Sequence, residues 1–268
     1  MQWTRSVGRK VPELTIFFWV VKVLTTAMGE ATSDYTVHQI DPVIAVALGA
    51  VAFVAALALQ LRVERYIAYV YWLAVTMVAV FGTMAADVIH VRFGVPYAVS
   101  TTGFGLALGV IFLAWYLTEG TLSIHSINTP RQELFYWATV LTTFALGTAV
   151  GDLTAYTLHL GFFSSGNLFA VVFAIPAICY RFAGLNEVLA FWFAYIVTRP
   201  FGASFADWMG VPRSLGGLDL GRGAVSIALT LLIVGLVAYL SATRLDVRGT
   251  VQPQPDQIRL ARRDGVSG

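Results

Sequence analysis

Cysteine is nearly missing: Cys179 is the only one in 268 residues, which excludes a disulfide framework and a thiolate metal cluster within the chain. Charge is scarce as well. Acidic and basic residues make up 12% against 57% hydrophobic residues, and mean hydropathy is +0.74, so a soluble domain of this length could not hide its apolar surface. The alternating pattern of an outer-membrane barrel is missing, because apolar residues come in blocks. There is no nucleophile elbow, phosphate loop or H-E-x-x-H zinc motif, and Gly103-Phe104-Gly105 and Gly216-Gly217 read as loop or packing glycines. No enzymatic activity is expected.

What is present is a series of long apolar runs. Residues 42 to 61 carry no charge, the length a helix needs to cross a hydrocarbon core of roughly 30 Å. Eight spans are expected, over about 14 to 37, 42 to 61, 66 to 90, 97 to 118, 134 to 159, 167 to 182, 188 to 209 and 223 to 242. The fold class is therefore all-α and polytopic. The sixth span is short and contains Pro176, which suggests a tilted or broken helix. Arg5, Arg9 and Lys10 precede the first run like the basic end of a signal peptide, but that run is too long for a signal core. Lys and Arg divide nine to three between alternate sides, with Arg92, Arg213 and Arg222 as the minority. The positive-inside rule then puts both termini in the cytoplasm. A disordered basic tail is expected over 246–268.

Four times a tryptophan is followed after ten residues by glycine and after fifteen by aspartate: Trp19/Gly29/Asp34, Trp72/Gly82/Asp87, Trp137/Gly147/Asp152 and Trp192/Gly202/Asp207. The tryptophans are 53, 65 and 55 residues apart, so the unit is a two-helix hairpin, and four tandem copies make the eight spans. Phe81-Gly82 and Ala86-Asp87 of the second copy match Phe201-Gly202 and Ala206-Asp207 of the fourth. This similarity suggests two four-helix halves, 11–125 and 126–245. An even number of spans per unit keeps the copies parallel, about an axis along the membrane normal. The tryptophans fall near one interface, where aromatic-belt anchoring is the default expectation.

At 100° per residue, positions eleven and fifteen after each tryptophan lie one turn apart on one helix face. The pairs are Glu30/Asp34, Thr83/Asp87, Thr148/Asp152 and Ala203/Asp207. Thr26 and Lys22 extend the stripe on the first span, and Arg199 on the seventh. Such costly groups are expected to turn away from lipid, toward the bundle interior. The glycines fall on another face, where helices can approach closely.

Carboxylate and hydroxyl oxygens without thiolate suit a hard cation, Mg²⁺, Mn²⁺ or Ca²⁺, or a proton relay. Glu30, Asp34, Asp87, Asp152 and Asp207 are the candidate cation ligands, with Thr26, Thr83 and Thr148 as polar lining and Lys22 and Arg199 as internal counter-charges. His38 is a candidate third metal ligand beside Glu30 and Asp34, since imidazole with carboxylate suits Mn²⁺ or Zn²⁺. His38, His90 and His159 all follow motif aspartates, at differing offsets that equally fit ordinary interfacial histidines. Arg199 precedes Pro200, which cannot donate to the carbonyl of Ile196 and marks a hinge position. The competing reading is a scaffold or sensor in which the acids only fix helix packing.

Lys10-Val11-Pro12-Glu13, Phe18-Trp19, Lys22, Gly29-Glu30 and Asp34 together resemble the opening signature of a family of bacterial integral membrane proteins described as uncharacterised membrane-anchored proteins. The resemblance covers about residues 10 to 245 and implies the bacterial inner membrane. It brings no activity with it. Manganese and calcium exporters with acidic, glycine-containing helix motifs offer an analogy only, because their E-x-G-D type sequence is missing. The expectation is thus a cation transporter or exporter whose partners are the lipid bilayer and a small cation, and no nucleic acid.

Overall fold

The computed structural model describes residues 10–247 and contains eight long α-helices in that stretch. They are α1 (Ile16–Gln39), α2 (Pro42–Arg62), α3 (Ala68–Asp87), α4 (Tyr97–Glu119), α5 (Pro130–Asp152), α6 (Gly161–Ala183), α7 (Glu187–Gly210) and α8 (Arg222–Thr243). Seven are long and apolar enough to cross a membrane. The remaining one, α1, carries Lys22, Glu30 and Asp34.

Local chemistry sets the boundaries. Asp41 caps α2 by accepting from the N–H groups of Val43 and Ile44, with Pro42 following it. Thr129 and Gln132 form a capping box on α5, which starts that helix four residues before the expected span. Gly120 and Gly184 end α4 and α6 at φ 70° and 68°, a conformation that favours glycine. The sixth helix is neither short nor broken. It begins at Gly161 and runs continuously through Pro176, since one lost hydrogen bond need not end a helix supported along its length by a neighbour, here α7.

The four motif helices form the interior. Around a ring, α1 packs on α3, α3 on α5, α5 on α7, and α7 back on α1. The plainer helices clad this ring, each against the motif helix of the following copy: α2 on α3, α4 on α5, α6 on α7, and α8 on α1. The hairpin is therefore the sequence unit but not the packing unit. Closure by α8 on α1 leaves no packing seam between 11–125 and 126–245. Burial follows this division: 56–67% of the apolar windows of α3, α5 and α7 is buried, against 17–28% in the four cladding helices. Leu48, Val51 and Val54 on α2 and Leu231 and Val234 on α8 are at least half exposed, as apolar chains facing lipid would be.

The motif glycines make the ring tight. A Cβ added to Gly29 would lie 2.5 Å from the Ala79 Cβ, and one on Gly82 2.8 Å from the Phe144 Cβ. Gly147 meets the Arg199 and Pro200 side chains, and Gly202 meets Thr26, Ala27 and Val23 of α1. Ala79, Phe144, Arg199 and Thr26 all stand seven residues after their tryptophan. Each copy's glycine thus faces the same position of the next copy, and the fourth closes on the first. Small residues at this crossing let backbones approach where packing holds helices together.

The aromatic belt is not observed. Trp72, Trp137 and Trp192 are buried in the core, and Trp19 is half-buried against Phe173 and Phe191. Sequence depth fixed their level but not their facing, and these rings pack the tryptophan end of the bundle. There Lys10 donates to Glu133 (2.6 Å) and to the carbonyl of Leu61 (3.3 Å), while Gln60 donates to Glu133 (3.1 Å). Asp246 is buried rather than part of a free tail, because it accepts the Tyr66 hydroxyl and its carbonyl accepts the N–H of Glu13. The rest of the expected tail, and Arg5 and Arg9, lie outside the described residues.

Candidate functional site: an acidic mouth above a buried guanidinium

Every fourth residue of the motif helices is buried at the ring's interior, giving stacked layers from the tryptophan end to the aspartate end. The first contains Phe18, Tyr71, Tyr136 and Phe191, with the Tyr71 and Tyr136 hydroxyls 2.5 Å apart. Next come Lys22, Val75, Val140 and Tyr195, then Thr26, Ala79, Phe144 and Arg199. Glu30, Thr83, Thr148 and Ala203 form the fourth layer, and the half-buried Asp34, Asp87, Asp152 and Asp207 the fifth. A four-residue step advances 40° per turn on a helix of 3.6 residues per turn, so the buried stripe winds around each helix.

Arg199 joins three helices to its own. Its Nη2, with two hydrogens to share, lies within hydrogen-bonding distance of three acceptors: Glu30 of α1 at 2.5 Å, Thr148 of α5 at 2.8 Å, and Thr83 of α3. The threonine hydroxyls direct their hydrogens to carbonyls of their own helices, those of Ala79 and Phe144 (2.8 and 3.1 Å), and so present lone pairs to the guanidinium. The fourth copy has Ala203 where the others have Glu or Thr, and the longer side chain one turn earlier fills the vacated level. Nε and Nη1 of Arg199 are buried without a hydrogen-bond partner.

Lys22 has a different environment from the one expected of a counter-charge. Its ammonium makes no hydrogen bond and lies 4.0 and 4.1 Å from the ring centres of Phe144 and Tyr195. Cation–π attraction of about 2 kcal/mol in a desolvated setting is less than the several kcal/mol of burying an ion. Thr26 donates to Val23 (2.6 Å) and is 3.0 Å from the carbonyl of Thr198, on the turn that carries Arg199.

The mouth divides into two carboxylate groups. One ligand atom each from Glu30, Asp34 and Asp207 lies within 4.8 Å of the others, and the same holds for Asp87, His90 and Asp152. Asp34 also pairs with Arg222 Nε at 2.8 Å. His38 Nδ1 lies 2.5 Å from the backbone oxygen of Asp34, and the third member of the Glu30 and Asp34 group is Asp207 from α7. His90 joins the second group because α3 continues past Asp87 as a π-helical turn, Val88–Arg92. A matching turn, Leu153–Thr157, follows Asp152. His90 stands three residues after Asp87, an offset that shares a helix face, but the residue pattern did not set it apart from His38 and His159, which also follow motif aspartates. Arg222 was legible as a basic residue on the aspartate side, and its partner was not.

The family model described as Repeat of Unknown Function (DUF347) matches the chain four times, over residues 17–66, 70–121, 135–185 and 190–246. Each match takes in one motif helix and the cladding helix after it. No curated protein and no solved structure matches.

Proposed function

This chain belongs to the family of the Repeat of Unknown Function (DUF347), and we propose that it is a multi-pass membrane protein that transports a small cation, a divalent metal ion or a proton. The observation that carries the reading is the pair of carboxylate groups, Glu30/Asp34/Asp207 and Asp87/His90/Asp152, to which each motif helix contributes its aspartate, with Glu30 of the first also held by Arg199. Four aspartates with Arg222 as their paired cation make an acid-rich mouth, and a cleft lined by one sign of charge concentrates cations before any specific binding.

The layer beneath supplies a closed gate. A cation or proton captured by Glu30, Asp34 and Asp207 competes with Arg199 for the Glu30 carboxylate. Occupancy then weakens the tie between α7 and the other motif helices, and a ligand shifts an equilibrium only through such differential interaction. Pro200, beside Arg199 within α7, puts a hinge position at the gate. In this reading the protein lies in the bacterial inner membrane, with both termini cytoplasmic and the aspartate mouth facing outward. That orientation rests on the nine-to-three charge asymmetry, and the bacterial assignment on the first-helix signature.

Thr83, Thr148 and Glu30 on one guanidinium favour a second reading, a scaffold whose buried polar layer fixes helix register. Vesicles containing the purified chain separate the two. Transport predicts uptake or release of protons, Mn²⁺, Mg²⁺ or Ca²⁺ that is lost in Glu30→Gln; a scaffold predicts no flux of any of them.

A further inference from the structure

We propose that Asp87, His90 and Asp152 form a binding site for a divalent first-row transition ion of the Mn²⁺ class, distinct from the Glu30, Asp34 and Asp207 group. It deepens the transporter reading by naming a cation, and rests on that reading only for the steps after binding.

The argument starts from the imidazole. His90 Nε2 lies 2.6 Å from Ser100 Oγ. The Ser100 hydroxyl has carbonyl acceptors of its own, those of Tyr97 (3.0 Å) and Pro96 (3.4 Å), which leaves Oγ free to accept from His90 Nε2–H. In that tautomer the neutral ring presents an Nδ1 lone pair. Nδ1 is buried without a hydrogen-bond partner, on a side chain 3% exposed. It faces acceptors: Asp152 Oδ2 is 3.7 Å away, and one ligand atom each from Asp87, His90 and Asp152 lies within 4.8 Å of the others.

A lone pair and two carboxylates converging in a half-dry mouth repel one another unless positive charge lies among them. A separation of 3.7 Å is too long for a hydrogen bond. It suits two ligands of one ion, because donors at roughly 2.1–2.3 Å from a shared metal stand about 3–4 Å apart. Two carboxylates neutralise a divalent charge, and their half-buried positions leave room for water to complete the shell. The nitrogen decides the class: all-oxygen sites suit Mg²⁺ and Ca²⁺, whereas one imidazole added to carboxylates favours first-row transition ions, of which Mn²⁺ is the one that also takes a carboxylate- and water-rich shell. Ser100 supplies the outer hydrogen bond that fixes the tautomer of a metal-ligating histidine. The other three copies have Val37, Ala155 and Gly210 where the second has His90, so this site belongs to the α3–α5 side of the mouth alone.

The test is Mn²⁺ titration of the full chain in lipid nanodiscs, followed by electron spin resonance, with the spin echo of bound Mn²⁺ examined for coupling to nitrogen. Wild type is expected to bind Mn²⁺ with nitrogen coupling, and excess Mg²⁺ to displace it poorly. His90→Gln removes the coupling and weakens binding at least tenfold; Ser100→Ala weakens binding about 10–100-fold; His38→Gln leaves the coupling intact. Asp152→Asn serves beside His90→Gln in case one variant fails to fold, and is expected to weaken binding by a similar factor. Absence of Mn²⁺ binding in wild type, as an imidazolium–carboxylate pair would give, overturns the proposal. So does bound Mn²⁺ without nitrogen coupling. Nitrogen-coupled binding without flux in vesicles upholds the site and removes the transport reading; flux without nitrogen-coupled Mn²⁺ does the reverse.

Discussion

Removing Arg199 while leaving Glu30 in place tests the gate most sharply. In Arg199→Met the volume at the axis is nearly kept, but Glu30, 4% exposed, loses the guanidinium 2.5 Å away. Breaking a buried pair from one side costs about 3–5 kcal/mol, because the remaining charge is uncompensated. For a chain of this size that corresponds to a fall in Tm of roughly 10 °C. The threonines add little, since Thr83 and Thr148 keep their bonds to Ala79 and Phe144. Arg199→Met/Glu30→Met removes both charges, and apolar replacement of a buried pair is commonly neutral or stabilising by about 1–4 kcal/mol. The double variant is therefore expected at or above the wild-type Tm, well above either single variant. Thermal unfolding in one detergent, with all four proteins scanned at one rate, gives the comparison. Additive losses in the double variant, or an Arg199→Met protein as stable as wild type, would refute the claim that these two charges form one unit at the axis.

Substitutions elsewhere in the bundle probe its packing and its other buried polar groups. Gly202→Ala puts a Cβ 2.9 Å from the Ala27 nitrogen and the Val23 oxygen and is expected to lower stability by about 1–3 kcal/mol, whereas Gly103→Ala, with nothing within 4 Å, gains up to about 1 kcal/mol; paired melting curves distinguish them. Lys22→Met replaces an ammonium without a hydrogen-bond partner by an apolar chain of similar length and is expected to raise stability by about 1–2 kcal/mol, a gain that a lowered Tm would contradict. Tyr66→Phe leaves Asp246 without the hydroxyl that donates to it and is expected to cost about 1–3 kcal/mol, read as a lower Tm with the helical circular dichroism unchanged.

Much of the architecture was legible because it depends on patterns that repeat. The apolar runs expected over 42 to 61 and from 134 locate α2 and the start of α5 to within a few residues, and the constant Trp-Gly-Asp spacing identifies the motif helices. Facing was harder. A window of hydropathy gives Trp72 a depth and says nothing of whether it meets lipid or Tyr71, so the belt expectation failed. Pairing across helices was harder still. Arg199 reaches Glu30 across 169 residues of sequence, and its register is set by a crossing in which Gly147 admits its stem. Lys22 and Arg199 look alike as lone cations in apolar helices, yet one finds two aromatic rings and the other a carboxylate. His90 was one of three histidines seen to follow motif aspartates, and nothing local sets it apart from His38 and His159, because its partners Ser100 and Asp152 come from other helices.

Cation flux into vesicles, measured on wild type and on a variant in which Asp34, Asp87, Asp152 and Asp207 are all Asn, is the most direct test of the acidic mouth. With matched Tm values and equal incorporation, wild type is expected to carry at least one of H⁺, Mn²⁺, Mg²⁺ or Ca²⁺ and the variant none. Equal flux in the two proteins, or a wild-type protein that carries none of the four, would contradict the account.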